Sequence, residues 1–292
     1  MKITLKQLQV FVHTAKTQSI SLAANKCFIS QAAASMSLSQ LESLLDIKLF
    51  DRIGRKMKLN ENGYNLLSKA TQVIEQVGEI ESYSNTEHKL SGKITIGAST
   101  TVANYILPEY IAQFQALYPN IDIELISKNS QEIITMVELL NCDVGFIESI
   151  CKNETITTLP WKKDFLKVIC NKNHELANQT NIKLSDAMKY GWAVRELGSG
   201  TSDAFLNALP HKIAKDLKIS IVLNNSEAIK QYVINSQVLA CISNTALYPN
   251  SGYTTLDIDS INIERYFYKL SHNEKYHSRI TRLFCEFVTD NP

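Results

Sequence analysis

The chain has 292 residues with 30 Lys and Arg against 29 Asp and Glu, and 45% of it is hydrophobic, enough for a small module plus larger domains with cores of their own. No stretch is apolar and long enough to span a bilayer, and the amphipathic start MKITLKQLQVF lacks the continuous apolar segment of an export signal, so a cytoplasmic location is expected. The six cysteines (Cys27, Cys142, Cys151, Cys170, Cys241, Cys285) show no Cys-x-x-Cys pairing and none is read as having a His at metal spacing, which argues against a disulfide framework, a zinc site or any other metal.

The near-neutral total hides an asymmetry. Residues 1–60 carry nine Lys and Arg against three acids, a net of +6, whereas residues 91–292 carry nineteen against twenty-one, a net of −2. A basic N-terminal module is what phosphate binding needs. Within it, apolar residues at Leu8, Phe11, Val12 and Ala15, at Ala23, Ala24 and Cys27, and at Ala34, Leu38, Leu41 and Leu45 each fall on one helical face, which predicts three small helices sharing a core. Ser19 and Ser30 are set to cap the second and third, with Phe28 and Ile29 as the turn between them. The third helix then begins at Gln31 and presents Gln31, Ser35, Met36 and Ser39 outward, the layout of a winged helix-turn-helix that lays this helix in a DNA major groove. Leu49 and Phe50 anchor a following strand, Gly54 marks a hairpin tip, and Arg52, Arg55, Lys56 and Lys58 crowd that tip as a basic wing.

Residues 61–88 read as one long polar helix in which Leu67, Ala70, Ile74 and Val77 form a short heptad seam. With no other element of the small module expected to cover it, the seam is read as a dimer contact. From Ser91 onward strand and helix patterns alternate. The predicted strands are 93–98, 121–127, 143–148, 165–171, 192–196, 219–223, 238–243 and 265–271; the predicted helices are 102–117, 132–140, 185–189, 202–209, 227–234 and 277–288. Two open α/β subdomains, with chain crossings near Pro160 and Glu264, fit this series in the manner of a periplasmic binding protein, whose ligand sits in the crevice at the strand ends. Four strand ends carry hydroxyl or amide clusters: Ser99, Thr100 and Thr101; Asn129, Ser130 and Gln131; Gly198, Ser199, Gly200 and Thr201; and Asn224, Asn225 and Ser226. Each lies at a helix N-terminus, where free N–H groups favour an anion, although capping alone explains any one of them. The Gly-Ser-Gly-Thr run lacks the Lys of a phosphate-binding loop of the Walker type, so nucleotide hydrolysis is not read from it.

The alanine pair Ala23 and Ala24, Ser30 and Gln31 opening the third helix, Ser35, Leu41 with Glu42, and the run Leu49 to Arg52 together resemble the LysR-type transcriptional regulators, and the resemblance covers the whole chain. Ala32 stands where that family usually has Pro, Met36 and Ser37 where a basic residue often lies, and Asn60 where Thr usually starts the linker helix. The resemblance implies a winged helix-turn-helix in 1–60, a linker and dimerisation helix in 61–90, effector subdomain I in 91–160 plus 265–292, and subdomain II in 161–264. It also implies a homodimer or homotetramer on a double-stranded promoter site, with RNA polymerase as a further partner. The cleft contacts it carries over are Ser99, Thr100, Thr101, Gln131, Phe146 and Gly198 to Thr201. DNA contacts are expected from Ser30, Gln31, Ser35, Met36, Ser39 and the wing.

The run REL-GSGT is similar to that of members serving sulfur assimilation and carbon fixation, which respond to small anionic metabolites. No cofactor is expected beyond that effector. Arg195 offers a positive charge or pairs with Glu196, while a carboxylate at Glu148 would repel an anion unless it points away or is protonated. No nucleophile elbow, His cluster or paired carboxylates indicate an enzyme. Two other readings stand beside this one: a thiol switch through Cys142 and Cys151, the pair closest in sequence, and, from a different class, a solute-binding or carrier protein with a helical appendage. His174 reads as a turn residue.

Overall fold

The computed structural model describes residues 2–53, 56–82, 90–249, 252–259 and 261–290. Helix α1 (Leu5–Thr17) starts in a capping box, in which Gln7 N donates to Thr4 Oγ1 and Thr4 N to Gln7 Oε1. Ser19 caps α2 (Ile20–Lys26) and Ser30 caps α3 (Gln31–Leu45), as the spacing predicts, and between them Phe28 takes a left-handed φ of 55°. The wing hairpin pairs β1 (Phe50–Ile53) with β2 (Lys56–Leu59). Glu42 fixes its entrance, accepting from Leu49 N at 2.9 Å and Lys48 Nζ at 2.7 Å. Gly54 and Arg55, at the predicted tip, lie outside the described residues.

Asn60 caps α4 (Glu61–Ser82), accepting from Gly63 N at 3.0 Å. A Cβ on Gly63 would stand 2.2 Å from the Leu49 carbonyl, so this close crossing of wing and helix requires glycine. Residues 83–88 of the expected linker helix lie outside the described residues.

The expected dimer seam is corrected by the packing of this head. Leu67 and Ala70 are 2% and 1% exposed within the head's own core, with Val10, Phe11 and Leu41, and Ile74 packs partly against the same cluster. Helix α1 lies against α4 and covers that face. The apolar side chains that α4 leaves exposed are Tyr64, Val73 and Ile80.

Among the described residues, the rest of the chain builds one nine-stranded sheet. It comprises β3 (Gly92–Ser99), β4 (Ile121–Lys128), β5 (Val144–Ile147), β6 (Ile156–Asn171), β7 (Trp192–Arg195), β8 (Ile219–Leu223), β9 (Leu239–Ser243), β10 (Tyr253–Leu256) and β11 (Ile263–His272). Strand order is β4-β3-β5-β11-β6-β9-β7-β8, with β10 also on β6. Helices α5 (Thr100–Tyr105), α6 (Leu107–Leu117), α7 (Ser130–Glu138) and α12 (Arg279–Asp290) belong to the β3–β5 side. Helices α8 (Leu184–Ala187), α9 (Gly200–Ala208), α10 (His211–Lys215) and α11 (Ser226–Ile234) belong to the β7–β9 side.

Parallel pairings within each half (β4-β3-β5 and β8-β7-β9) make the two α/β lobes, and the long antiparallel pair β6 and β11 runs between them. The predicted crossings near Pro160 and Glu264 are therefore interior points of two continuous strands. Two further differences follow from local chemistry. Pro108 cannot donate its backbone nitrogen, so the single helix predicted over 102–117 breaks at Ile106 into α5 and α6. Strand β10 and helix α10 are too short to show a period in sequence.

Candidate functional site

The carboxyl ends of β3, β5 and β7, the α9 N-terminus and a point near the start of β11 in the β6/β11 pair converge between the lobes. Strand alternation explains two of the converging charges. Along β11, Ile263, Arg265 and Phe267 share the buried face, and along β6, Asp164, Leu166 and Val168 do the same, with Arg265 directly opposite Asp164 in the register. Arg265 Nε donates to Asp164 Oδ2 at 2.8 Å, and Ser243 Oγ donates to Asp164 Oδ1 at 2.8 Å. On its other edge Arg265 Nη1 donates to Glu148 Oε2 at 3.0 Å and to Thr201 Oγ1 at 3.1 Å, while Thr201 donates to Glu148 Oε2 at 2.7 Å. One guanidinium thus bridges carboxylates from both lobes.

Glu148 is 4% exposed. Burial pushes its carboxyl up, but the Arg265 guanidinium, the hydroxyls of Thr101 and Thr201, and Arg195 more than offset this and hold it at about 2. It is ionised and already neutralised, which removes the objection that it would repel an anion.

Arg195, 4% exposed, forms the second cationic point. Its Nε and Nη2 grip Glu196 at 2.8 and 2.9 Å, and Nη2 also reaches Thr100 Oγ1 across the lobes at 3.3 Å. Its Nη1 is buried without a partner, as are the hydroxyls of Ser99 and Ser130. Buried polar groups left unpaired are uncommon and call for a reason. The neighbouring clusters separate by role: Asn129 and Asn225 cap α7 and α11 outright, whereas Ser99 and Ser199 make no cap bond. Gly200 lets the lobes touch, since a Cβ there would lie 3.0 Å from the Glu148 Cβ and 3.2 Å from the Ser130 hydroxyl. Gly198, at φ +85°, has its carbonyl accepting from Gln131 N at 3.3 Å.

Of the residues expected in the cleft, Ser99, Thr100, Thr101, Gln131 and Gly198 to Thr201 stand together. Phe146 does not: it is fully buried in the first lobe's core, its ring 4.8 Å from Trp161, because the even alternation of a fully buried strand turns it away from the cleft. Sequence reasoning missed Arg265 and Asp164. Their signal was present, as charges occupying inward positions of otherwise alternating strands.

On the head, Gln31, Met36 and Ser39 are exposed at the start and outer face of α3, and Ser35 is half-buried. Ser30 is spent on the cap, and Gln31 accepts from Ser21 Oγ at 2.9 Å, which ties the two helix starts together. Lys56 and Lys58 are exposed on β2; the Arg52 side chain and Arg55 lie outside the described residues. Cys142 and Cys151 are both buried in one apolar cluster, and burial pushes the Cys142 thiol up to about 12, the reverse of an activated thiolate. His174 is buried beside Tyr190 and accepts from Leu176 N, a turn role. Among the described residues no group of side chains could hold a metal, and no helix is long and apolar enough to cross a membrane.

A winged helix-turn-helix followed by a two-lobed α/β unit with polar groups converging between the lobes defines a ligand-responsive class of DNA-binding regulators. Comparison agrees. Residues 5–64 match the bacterial regulatory helix-turn-helix protein, lysR family, and residues 87–292 match the LysR substrate binding domain. The chain belongs to the LysR family of transcriptional regulators. It is 34% identical to the HTH-type transcriptional regulator YeiE of Escherichia coli (strain K12), over 98% of this chain and 97% of that one. Among solved structures, it is similar to the regulatory domain of Synechocystis PCC6803 CcmR in complex with 2-PG, with TM-score 0.64 and 26% identity over 69% of this chain and 97% of that domain. A full-length OxyR variant from Pseudomonas aeruginosa shares the fold, with TM-score 0.72 and 18% identity over 99% of this chain and 97% of that one.

Proposed function

We propose that this regulator's promoter binding is modulated by a small anion seated between the lobes. The carrying observation is that Nη1 of Arg195 and the hydroxyls of Ser99 and Ser130, all at strand ends facing the junction of the lobes, are buried and without a hydrogen-bond partner. An anion satisfies a guanidinium N–H and two hydroxyl donors at once, and charge-assisted bonds are the strongest such pairs. The site residues are Ser99, Thr100, Thr101, Ser130, Gln131, Arg195 and the run Gly198 to Thr201, with Arg265 behind them. That the similar CcmR regulatory domain is solved in complex with 2-PG supports a small ligand in this unit.

The same proposal assigns DNA contact to Gln31, Ser35, Met36, Ser39, Arg52, Arg55, Lys56 and Lys58, and division of the effector unit at the β6/β11 crossing. It includes assembly as a homodimer or homotetramer through α4, now by its exposed Val73 and Ile80, and action in the cytoplasm on promoter DNA with RNA polymerase and without catalysis of its own. A thiol switch is disfavoured by the buried, protonated Cys142.

The test is a thermal-shift screen against sulfate, sulfite, thiosulfate, acetylserine, phosphorylated sugars and dicarboxylates. A ligand that binds only the folded state raises the melting temperature, by mass action. At least one anion is expected to stabilise the wild type and not the Thr100→Val or Arg195→Gln variant. A shift retained in both variants, or none with any anion, refutes the assignment.

A further inference from the structure

The ion pair in the cleft has a counterpart at the far end of the same two strands. Strand β5 is four residues long and fully buried; Glu148 follows its last residue and Asp143 precedes its first. Strand β11 pairs antiparallel to it, Tyr268 opposite Ile147 and Leu270 opposite Gly145, with Arg265 at its start and Lys275 just beyond its end. Glu148 and Arg265 pair at 3.0 Å, and Asp143 and Lys275 pair at 2.8 Å. The two ion pairs therefore terminate one rigid ribbon.

The far end touches the DNA-binding head. Lys275, whose side chain is 3% exposed, donates to the Cys142 carbonyl at 2.9 Å and lies 3.8 Å from Glu75 of α4. Ser68 of α4 donates to Glu274 at 2.9 Å. Leu140, left-handed at φ 54° in the turn before β5, buries its side chain in the head's own core cluster with Leu67 and Ala70. Lys16 of α1 completes the seam: burial, then the neighbouring Lys275, bring its ammonium down to about 8. A crevice of about 360 Å³, lined by Tyr64, Ser68, Glu138, Leu140, His272 and Glu274 among others, runs alongside, so the head is pinned at a few points and has room to tilt.

We propose that the Asp143–Lys275 end of the β5/β11 ribbon is a docking surface for this chain's own DNA-binding head, and that the state of the Glu148–Arg265 pair in the cleft sets how tightly it holds. The proposal rests on the cleft reading for its trigger. The physical route is that a ligand drawing on Arg265 competes with Glu148, and a four-residue buried strand cannot absorb the resulting displacement internally, because close-packed interiors transmit strain. It is carried to Asp143 and the Leu140 turn.

The test needs no ligand, so its result is independent of the anion screen. Backbone hydrogen exchange is followed in the full-length protein for wild type, Asp143→Asn and Arg265→Lys. Asp143→Asn should accelerate exchange at least tenfold in α1 and in residues 66–75 of α4, which identifies the docking end. Arg265→Lys, made at the opposite end and retaining the charge, should accelerate the same head segments at least threefold. Should Arg265→Lys lose native circular dichroism, Thr201→Ala replaces it, removing one hydroxyl from the pair and leaving both charges. Acceleration confined to the cleft strands overturns the transmission, and unchanged head exchange in Asp143→Asn overturns the docking surface.

Discussion

Replacing Glu148 by Gln removes one carboxylate from the centre of the cleft without changing side-chain size. The carboxyl sits at about 2 against an ordinary 4.5, and each unit of pKa corresponds to about 1.4 kcal/mol, so ionised Glu148 contributes about 3 kcal/mol to folding at neutral pH. Because the folded value is depressed, the contribution is fully present above 4.5 and fades as pH falls towards 2. Less than half of it remains at about pH 3 by the same linkage relation. The variant also leaves Arg265 Nη1 facing a neutral amide, and removing one partner of a buried pair typically costs about 3–5 kcal/mol. Urea unfolding of wild type and Glu148→Gln at pH 7 should differ by about 3 kcal/mol or slightly more, with the gap shrinking steadily between pH 5 and pH 3. A difference below about 1 kcal/mol at pH 7, or one that does not change with pH, would refute the assignment of Glu148 as an ionised member of the Arg265 network.

Other outcomes follow from single residues. Gly200→Ala places a Cβ 3.0 Å from Glu148 and 3.2 Å from the Ser130 hydroxyl, and should weaken anion-induced stabilisation at least tenfold in titration calorimetry, with overpacking costing about 1–3 kcal/mol; unchanged affinity would show that the lobes do not meet there. Lys56→Ala or Lys58→Ala should each lower the salt slope of DNA binding by about one, whereas Ser35→Leu should reduce operator affinity more than non-specific affinity; equal slopes in fluorescence anisotropy would remove the wing from the phosphate contacts. Lys16→Met should stabilise the chain at pH 7 by up to about 3 kcal/mol, the bound set by its descent from 10.5 to about 8, with the advantage declining as pH rises from 8 to 10.5 because the wild-type amine is then neutral when folded; a constant difference in urea midpoint across that window would place Lys16 in solvent. Val73→Lys combined with Ile80→Lys should reduce the light-scattering mass of the particle, since these side chains are exposed on α4 and Leu67 and Ala70 are not; an unchanged mass would move the oligomer contact off this helix.

The head was legible in the chain because its signals are local. Ser19 and Ser30 cap the helices they precede, Gln31 opens the third helix, and Leu49 and Phe50 enter the core, each decided by neighbours a few residues away. The alternation of strands and helices, and the hydroxyl clusters at strand ends, were legible for the same reason. What only the tertiary structure decided was which clusters were already used. Asn129 and Asn225 close their own helices while Ser99, Ser130 and the Arg195 Nη1 stay unpaired, a distinction that depends on groups about 30 to 100 residues apart in the chain. Tertiary packing likewise turned Leu67 and Ala70 inward against α1, put Phe146 in the core, and set Arg265 opposite Asp164 through a strand register that no local period specifies. Composition and periodicity determine which faces are apolar; which partner covers each face, and which charge meets which, is set by long-range pairing and is therefore visible only in the folded chain.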